Sequence, residues 1–177
     1  YCRRNGGRFV MEDGVAFRMW EQRLRAEGLV TTVDGRNHWE VKGAVISAVM
    51  ELVNTARKCL PLSATGKKAP TDADYADLIG RFGIEVETND LPEVLAHTSW
   101  LLAELTSLQN LMTWGTDFNG MIDLPSYHNL SPAKLFNRVI VDEGQDQNYP
   151  TRRVAELHLA KDGRLICVGD EKQGIYA

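Results

Sequence analysis

Apolar positions recur at helical spacing through the first two-thirds of the chain. Within EDGVAFRMWEQRLRAE, residues 12–27, Phe17, Trp20 and Leu24 fall at i, i+3 and i+7. Gly28 supplies a stop, so the segment predicts an amphipathic helix. Asp34-Gly35 marks a turn. Residues 41–60 place Val45, Val49, Leu52 and Val53 on one face of a second helix, and PLSATGKKAPT reads as a loop by composition. DADYADLIGRFG predicts a short helix capped by Thr71 or Asp72 and ended by Gly83. Asp90 then offers an N-cap, with Pro92 tolerated in the first turn. A long helix through EVLAHTSWLLAELTSLQNLMTW follows, with Leu95, Leu102, Leu105 and Leu108 among its apolar positions. This part of the chain carries few strand signals.

The last third changes character. RVIVDE and RLICVGD are short β-branched apolar runs, each followed by acids, and YPTRRVAELHLAKDG between them reads as a helix ending in a turn at Asp162-Gly163. Strand, helix, strand at this spacing predicts a βαβ unit with parallel strands. Both acid clusters then fall at the carboxyl-terminal edge, where open α/β sheets bind ligands.

Composition narrows the function classes. The 177 residues are 44% hydrophobic and 25% charged, which is ordinary for a globular protein. A net charge of −4 gives no global attraction to polyanions, so any such site must be local. Cys2, Cys59 and Cys167 are odd in number and far apart, which points to reduced thiols in a cytoplasmic setting rather than a disulfide framework or zinc site. The isolated His38, His97, His128 and His158 make a poor ligand set. No run is long enough to span a bilayer, and no apolar leader opens the sequence, which begins on Tyr rather than Met.

Asp142 and Glu143 carry the candidate chemistry. An aspartate at a strand end can hold a hydrated magnesium ion, and a neighbouring glutamate can deprotonate the water that attacks a phosphoryl group. The same pair can equally cap the next helix or face solvent. Gln173, beyond the second strand, could hydrogen-bond a terminal phosphate, and Tyr176 could stack on a nucleobase or simply pack.

Taken together, VIVDEGQDQN and LICVGDEKQGIYA resemble the Walker B motif and the third conserved motif of UvrD/Rep-type superfamily 1 DNA helicases. Asp142, Glu143, Gln145 and Asp146 match the first motif, and Gly169, Asp170, Gln173, Ile175 and Tyr176 match the second. TDFNGMIDLP resembles the segment that re-enters the motor core, and LVNTARKCL a stretch of the helical insertion. The resemblance implies an α/β fold in which part of a P-loop NTPase (RecA-like) parallel sheet follows a mostly helical insertion subdomain. Residues 1–115 would form the insertion and 116–177 the C-terminal part of the first ATPase lobe. It further implies ATP and magnesium as cofactors and DNA, single-stranded and at a duplex junction, as partner. Asp142 and Glu143 would be the acids at the metal, with Asp142 holding it through water and Glu143 activating the hydrolytic water. Asp170 and Gln173 would lie at the nucleotide, Gln173 on the γ-phosphate. Tyr176 would belong to the single-strand path, and Gln145 and Asp146 would link the site to neighbouring motor elements.

Some positions depart from the family pattern. Gly144 stands where a larger residue is usual, which is expected to loosen the backbone beside the base, and Asn119-Gly120 replaces an acidic pair. PLSATGKK, residues 61–68, lacks the first glycine and the Ser/Thr of a phosphate-binding loop and is a decoy. The expectation is therefore a piece of a helicase whose phosphate cradle and second lobe lie outside these residues, and which alone neither hydrolyses ATP nor unwinds DNA. The alternative is a truncated or degenerate protein that only binds DNA or a partner. Basic residues cluster as Arg3, Arg4 and Arg8 and as Arg57, Lys58, Lys67 and Lys68, either for phosphate contact or as ordinary solvated charges.

Overall fold

Twelve residues from Val15 to Ala26 form α1, entered from a left-handed Gly14 and ended at Glu27 before a left-handed Gly28. The protein's structure is a computed structural model that describes residues 14–62 and 69–170. Chain proximity divides it into two units, Tyr1–Ala56 with Pro70–Gly120, and Arg57–Ala69 with Met121–Ala177.

In the first unit α1 buries Met19, Trp20 and Leu24, while Phe17 turns aside to pack on the Trp39 ring at 5.7 Å between centroids. The segment after it is a β-hairpin that the apolar pattern did not predict. Strands β1 (Val30–Val33) and β2 (Arg36–Trp39) pair antiparallel from Val33↔Arg36 to Val30↔Trp39. Asp34 and Gly35, at φ 51° and 75°, both adopt the left-handed conformation that a two-residue hairpin turn of this hand demands. Helix α2 (Gly43–Cys59) buries Val45, Val49, Leu52 and Val53 as expected. Helix α3 (Asp72–Phe82) starts on a reciprocal cap between Thr71 and Asp74 and ends on Gly83 at φ 66°.

The predicted long helix is two. Helix α4 (Leu91–Leu105) ends where the Thr106 hydroxyl donates back to the Leu102 carbonyl at 2.9 Å, and Ser107 caps α5 (Leu108–Trp114) by accepting the Asn110 N–H. Asp90 occupies the N-cap position of α4 but makes no cap hydrogen bond. Its carboxylate instead accepts Lys42 Nζ at 2.7 and 3.0 Å. Trp20, Leu24, Val49, Leu52, Val53, Val94 and Leu101 are fully buried, each worth roughly 1.5–3 kcal/mol of burial.

Helix α6 (Phe118–His128), begun by Asp117 accepting the Gly120 N–H at 2.7 Å, leads into the second unit. There β3 (Phe136–Val141) and β4 (Leu159–Cys167) lie parallel, joined through α7 (Tyr149–Leu157), whose cap Asn148 accepts the Thr151 N–H. Arg138↔Arg164 through Val141↔Cys167 are in register. The helix is shorter than predicted, and Asp162-Gly163 lies inside β4 rather than in a turn before it. The extra residues form an irregularity between Phe136 and Arg138, where Gly163 passes so close to the Phe136 carbonyl that a Cβ would sit 2.9 Å from it. Ile140, Ile166 and Val168 remain exposed. The two small sheets and the helices make an α/β chain, and among the described residues no helix is long and apolar enough to cross a membrane.

Arg57 overturns both sequence-based readings of its charge. It is 4% exposed and its guanidinium pairs with the buried Asp123 carboxylate of α6, so it neither reaches DNA phosphate nor sits solvated. Lys58 is exposed, whereas Arg3, Arg4, Arg8, Lys67 and Lys68 lie outside the described residues, as does most of PLSATGKK.

Candidate active site at the strand tips

The chain leaves β3 through Asp142 and Glu143, then tightens into a 3-10 turn over Gly144–Asp146. Glu143 adopts φ 52°, ψ 46°, the left-handed region that a non-glycine residue rarely enters. Hydrogen bonds hold it there. Asp146 N donates to the Glu143 carbonyl at 2.9 Å, and the Glu143 N–H donates to Asp142 Oδ1 at 3.0 Å.

The tip of β4 approaches the same turn. Val168 N donates to the Val141 carbonyl and Gly144 N donates to the Val168 carbonyl, each at 2.8 Å. Gly144 is thus tightly placed rather than loosened. A Cβ on it would stand 3.3 Å from Cys167 Cβ and 3.4 Å from the Val168 carbonyl oxygen. Smallness at this position lets the two strand exits meet.

Gln145 spans them. Its Nε2 donates to Glu143 Oε2 at 2.7 Å, and its Oε1 accepts the Asp170 N–H at 3.1 Å. The amide orientation follows from chemistry, since the reverse would set NH₂ against N–H and carbonyl against carboxylate. Asp146 Oδ1 is buried with no hydrogen-bond partner among the described residues.

Asp142, Glu143 and Asp170 are therefore brought to one edge of the βαβ unit. Gln173 and Tyr176 lie outside the described residues. The link from Gln145 to Glu143 was not foreseen from the residues themselves, although an amide two positions after a strained acid is a local signal for it. An open cleft of about 540 Å³ runs along β3 and α7 and reaches Asp142, but neither Glu143 nor Asp170 lines it.

The donor set suits a hard, largely hydrated cation. Asp142 is exposed and keeps one carboxylate oxygen without a partner among the described residues. Magnesium binds through one or two carboxylates while retaining several waters. Among the described residues no cluster of three or more His, Cys, Asp or Glu could form an all-protein cage. The histidines are placed elsewhere: His97 is buried against Trp20, and His158 contacts the Val154 carbonyl through Nδ1.

Comparison with curated proteins and with solved structures finds no match. The family profile for the UvrD/REP helicase N-terminal domain matches residues 51–177, which is well over half of the chain and includes both strand tips. With that span and the acids gathered at the ends of paired parallel strands, the chain belongs to the UvrD/REP helicase N-terminal domain family.

Proposed function

We propose that these residues supply part of the ATPase site of a DNA helicase that couples magnesium-dependent ATP hydrolysis to movement along single-stranded DNA and duplex unwinding. One observation carries the reading: the Asp142-Glu143 pair and the β4 exit meet at one sheet edge, with Gln145 bonded to both. In this reading residues 116–177 belong to a RecA-like lobe and residues 1–115 to a helical insertion.

Magnesium, when bound, neutralises charge on the phosphates and orients them. The protein's own residues do the rest. Asp142 offers its unpartnered oxygen to the ion's water shell. Glu143, held at one oxygen by Gln145, offers the other as base to the attacking water. Asp170 lies on the nucleotide side, and Gln173 is assigned to the γ-phosphate and Tyr176 to the bases of single-stranded DNA. Family membership favours this over a protein that only binds DNA.

The test is DNA-stimulated ATP turnover by the full-length protein. Glu143→Gln should lower kcat by about 100-fold or more, the scale of a lost general base. Undiminished turnover in that variant would remove Glu143 from the role. Residues 1–177 alone should show no turnover.

A further inference from the structure

We propose that α1 and the hairpin β1–β2 form one flap, latched onto α4 by two ring contacts, that opens when His97 takes up a second proton. The device lies wholly in the first unit and is independent of the hydrolytic reading above. The flap is tied to itself by side chains and backbone. Arg25 Nη1 donates to Thr32 Oγ1 at 3.0 Å, Asn37 Nδ2 donates to Glu21 Oε1 at 3.3 Å, and the Phe17 ring meets Trp39. The Leu29 N–H donates to the Leu24 carbonyl at 2.8 Å, so the chain turns from helix into strand without slack. Helix and hairpin therefore move together.

Two contacts one turn apart fasten this piece to α4. Trp20 meets the His97 ring edge to face, with 5.1 Å between centroids, and the Arg23 guanidinium lies over the Trp100 ring at 4.5 Å. His97 Nε2 stands 3.7 Å from Glu93 Oε1, so the neutral ring keeps its proton on that side and leaves Nδ1 bare. Nδ1 is buried and has no hydrogen-bond partner among the described residues, so a second proton there finds no acceptor. The charges that act on the ring are Arg23 and Glu27 of α1 and Glu93 of α4. The two acids favour the imidazolium, but their side chains are 40% and 46% exposed and are screened by water. Burial and the Arg23 charge prevail and lower the His97 pKa. Parting α1 from α4 lets the charged ring reach water, so acid favours the open flap.

Hydrogen exchange in the 177-residue chain, followed residue by residue between pH 7.5 and 5.5 and corrected for the intrinsic rate, tests the device. Protected amides of α1 and the hairpin should open together, with an opening constant that rises by up to about ten-fold per pH unit below about pH 6.5, the limit for one proton. Amides of α2 and α3 should not follow. His97→Gln should abolish the rise, and Arg23→Gln, which removes the like charge, should shrink it. A rise that persists in His97→Gln overturns the proposal. So does a hairpin that keeps its protection while α1 loses it, or α2 opening in step, which is global unfolding. Should His97→Gln fail to fold, the wild-type imidazole signal replaces it: a titration midpoint shared with the exchange supports the latch, and two separate midpoints overturn it.

Discussion

The two units bury their apolar residues in opposite degrees. In the first, α1, α2 and α4 contribute most of the buried apolar side chains, Trp20, Leu52 and Leu101 among them. In the second, the described residues add only Leu124, Pro150 and Leu157 to the buried apolar set, while Ile140 at 68% and Val168 at 53% exposure stand on or beside the strands. Among its buried groups is an ion pair, Arg57 with Asp123. One unit is held by hydrophobic burial, the other by a backbone ladder, close-packed glycines and a desolvated charge pair. In the second unit the apolar strand residues stand largely exposed, and Asp142 and Glu143 lie in the open at the strand end.

Substitutions can break or sharpen this contrast. Trp20→Ala should cost about 3–5 kcal/mol in a urea unfolding series, because it removes a fully buried aromatic. Ile140→Thr, on the exposed strand face, should stay within about 0.5 kcal/mol. Equal costs would mean that the strand face is covered in solution.

Arg57→Met should destabilise the second unit by about 3 kcal/mol, since it removes a guanidinium paired with the Asp123 carboxylate in a buried site. Arg57→Met combined with Asp123→Leu should recover most of the loss in the same unfolding assay. A double variant as weak as the single would show that the pair does more than neutralise itself.

The smallest effect concerns pH and the first unit alone. Burial and the Arg23 guanidinium lower the His97 pKa, against the opposing pull of Glu93 and Glu27. The folded state therefore favours neutral His97, while the unfolded chain takes up the proton near pH 6.5. Stability is full above that value and falls as pH drops toward the lowered folded pKa, by no more than about 1.4 kcal/mol per pH unit for one proton. His97→Gln should flatten the drop in urea midpoint between pH 7.5 and 5.5. An unchanged slope would assign the acid sensitivity to other groups.

The sequence was most legible where side chain and backbone preferences agree. Val139, Ile140 and Val141 announce a strand, and Thr71 with Gly83 brackets a helix, because β-branching, caps and positive φ are local properties. The hairpin escaped because Thr31, Thr32, Arg36, Asn37 and His38 face solvent and leave no apolar alternation; only the Asp34-Gly35 turn signalled it. The break at Thr106-Ser107 uses side-chain hydrogen bonds rather than Gly or Pro, so apolar spacing ran straight through it. Arg57 could not be placed because its partner is 66 residues away. At the site, the acids could be found by position after a strand, whereas the Gln145 bridge depends on how two separate loops meet.

Among the described residues β3 pairs only with β4, leaving each with an outer rim of peptide groups not taken up by the ladder. Such rims are templates for further strands from any chain that presents one. With Ile140, Ile166 and Val168 alongside, recombinant material made from these residues should self-associate as concentration rises, gaining β-structure as it does. Lysine at Ile140 would blunt that association by placing a charge beside the rim, and would serve as a practical route to soluble protein.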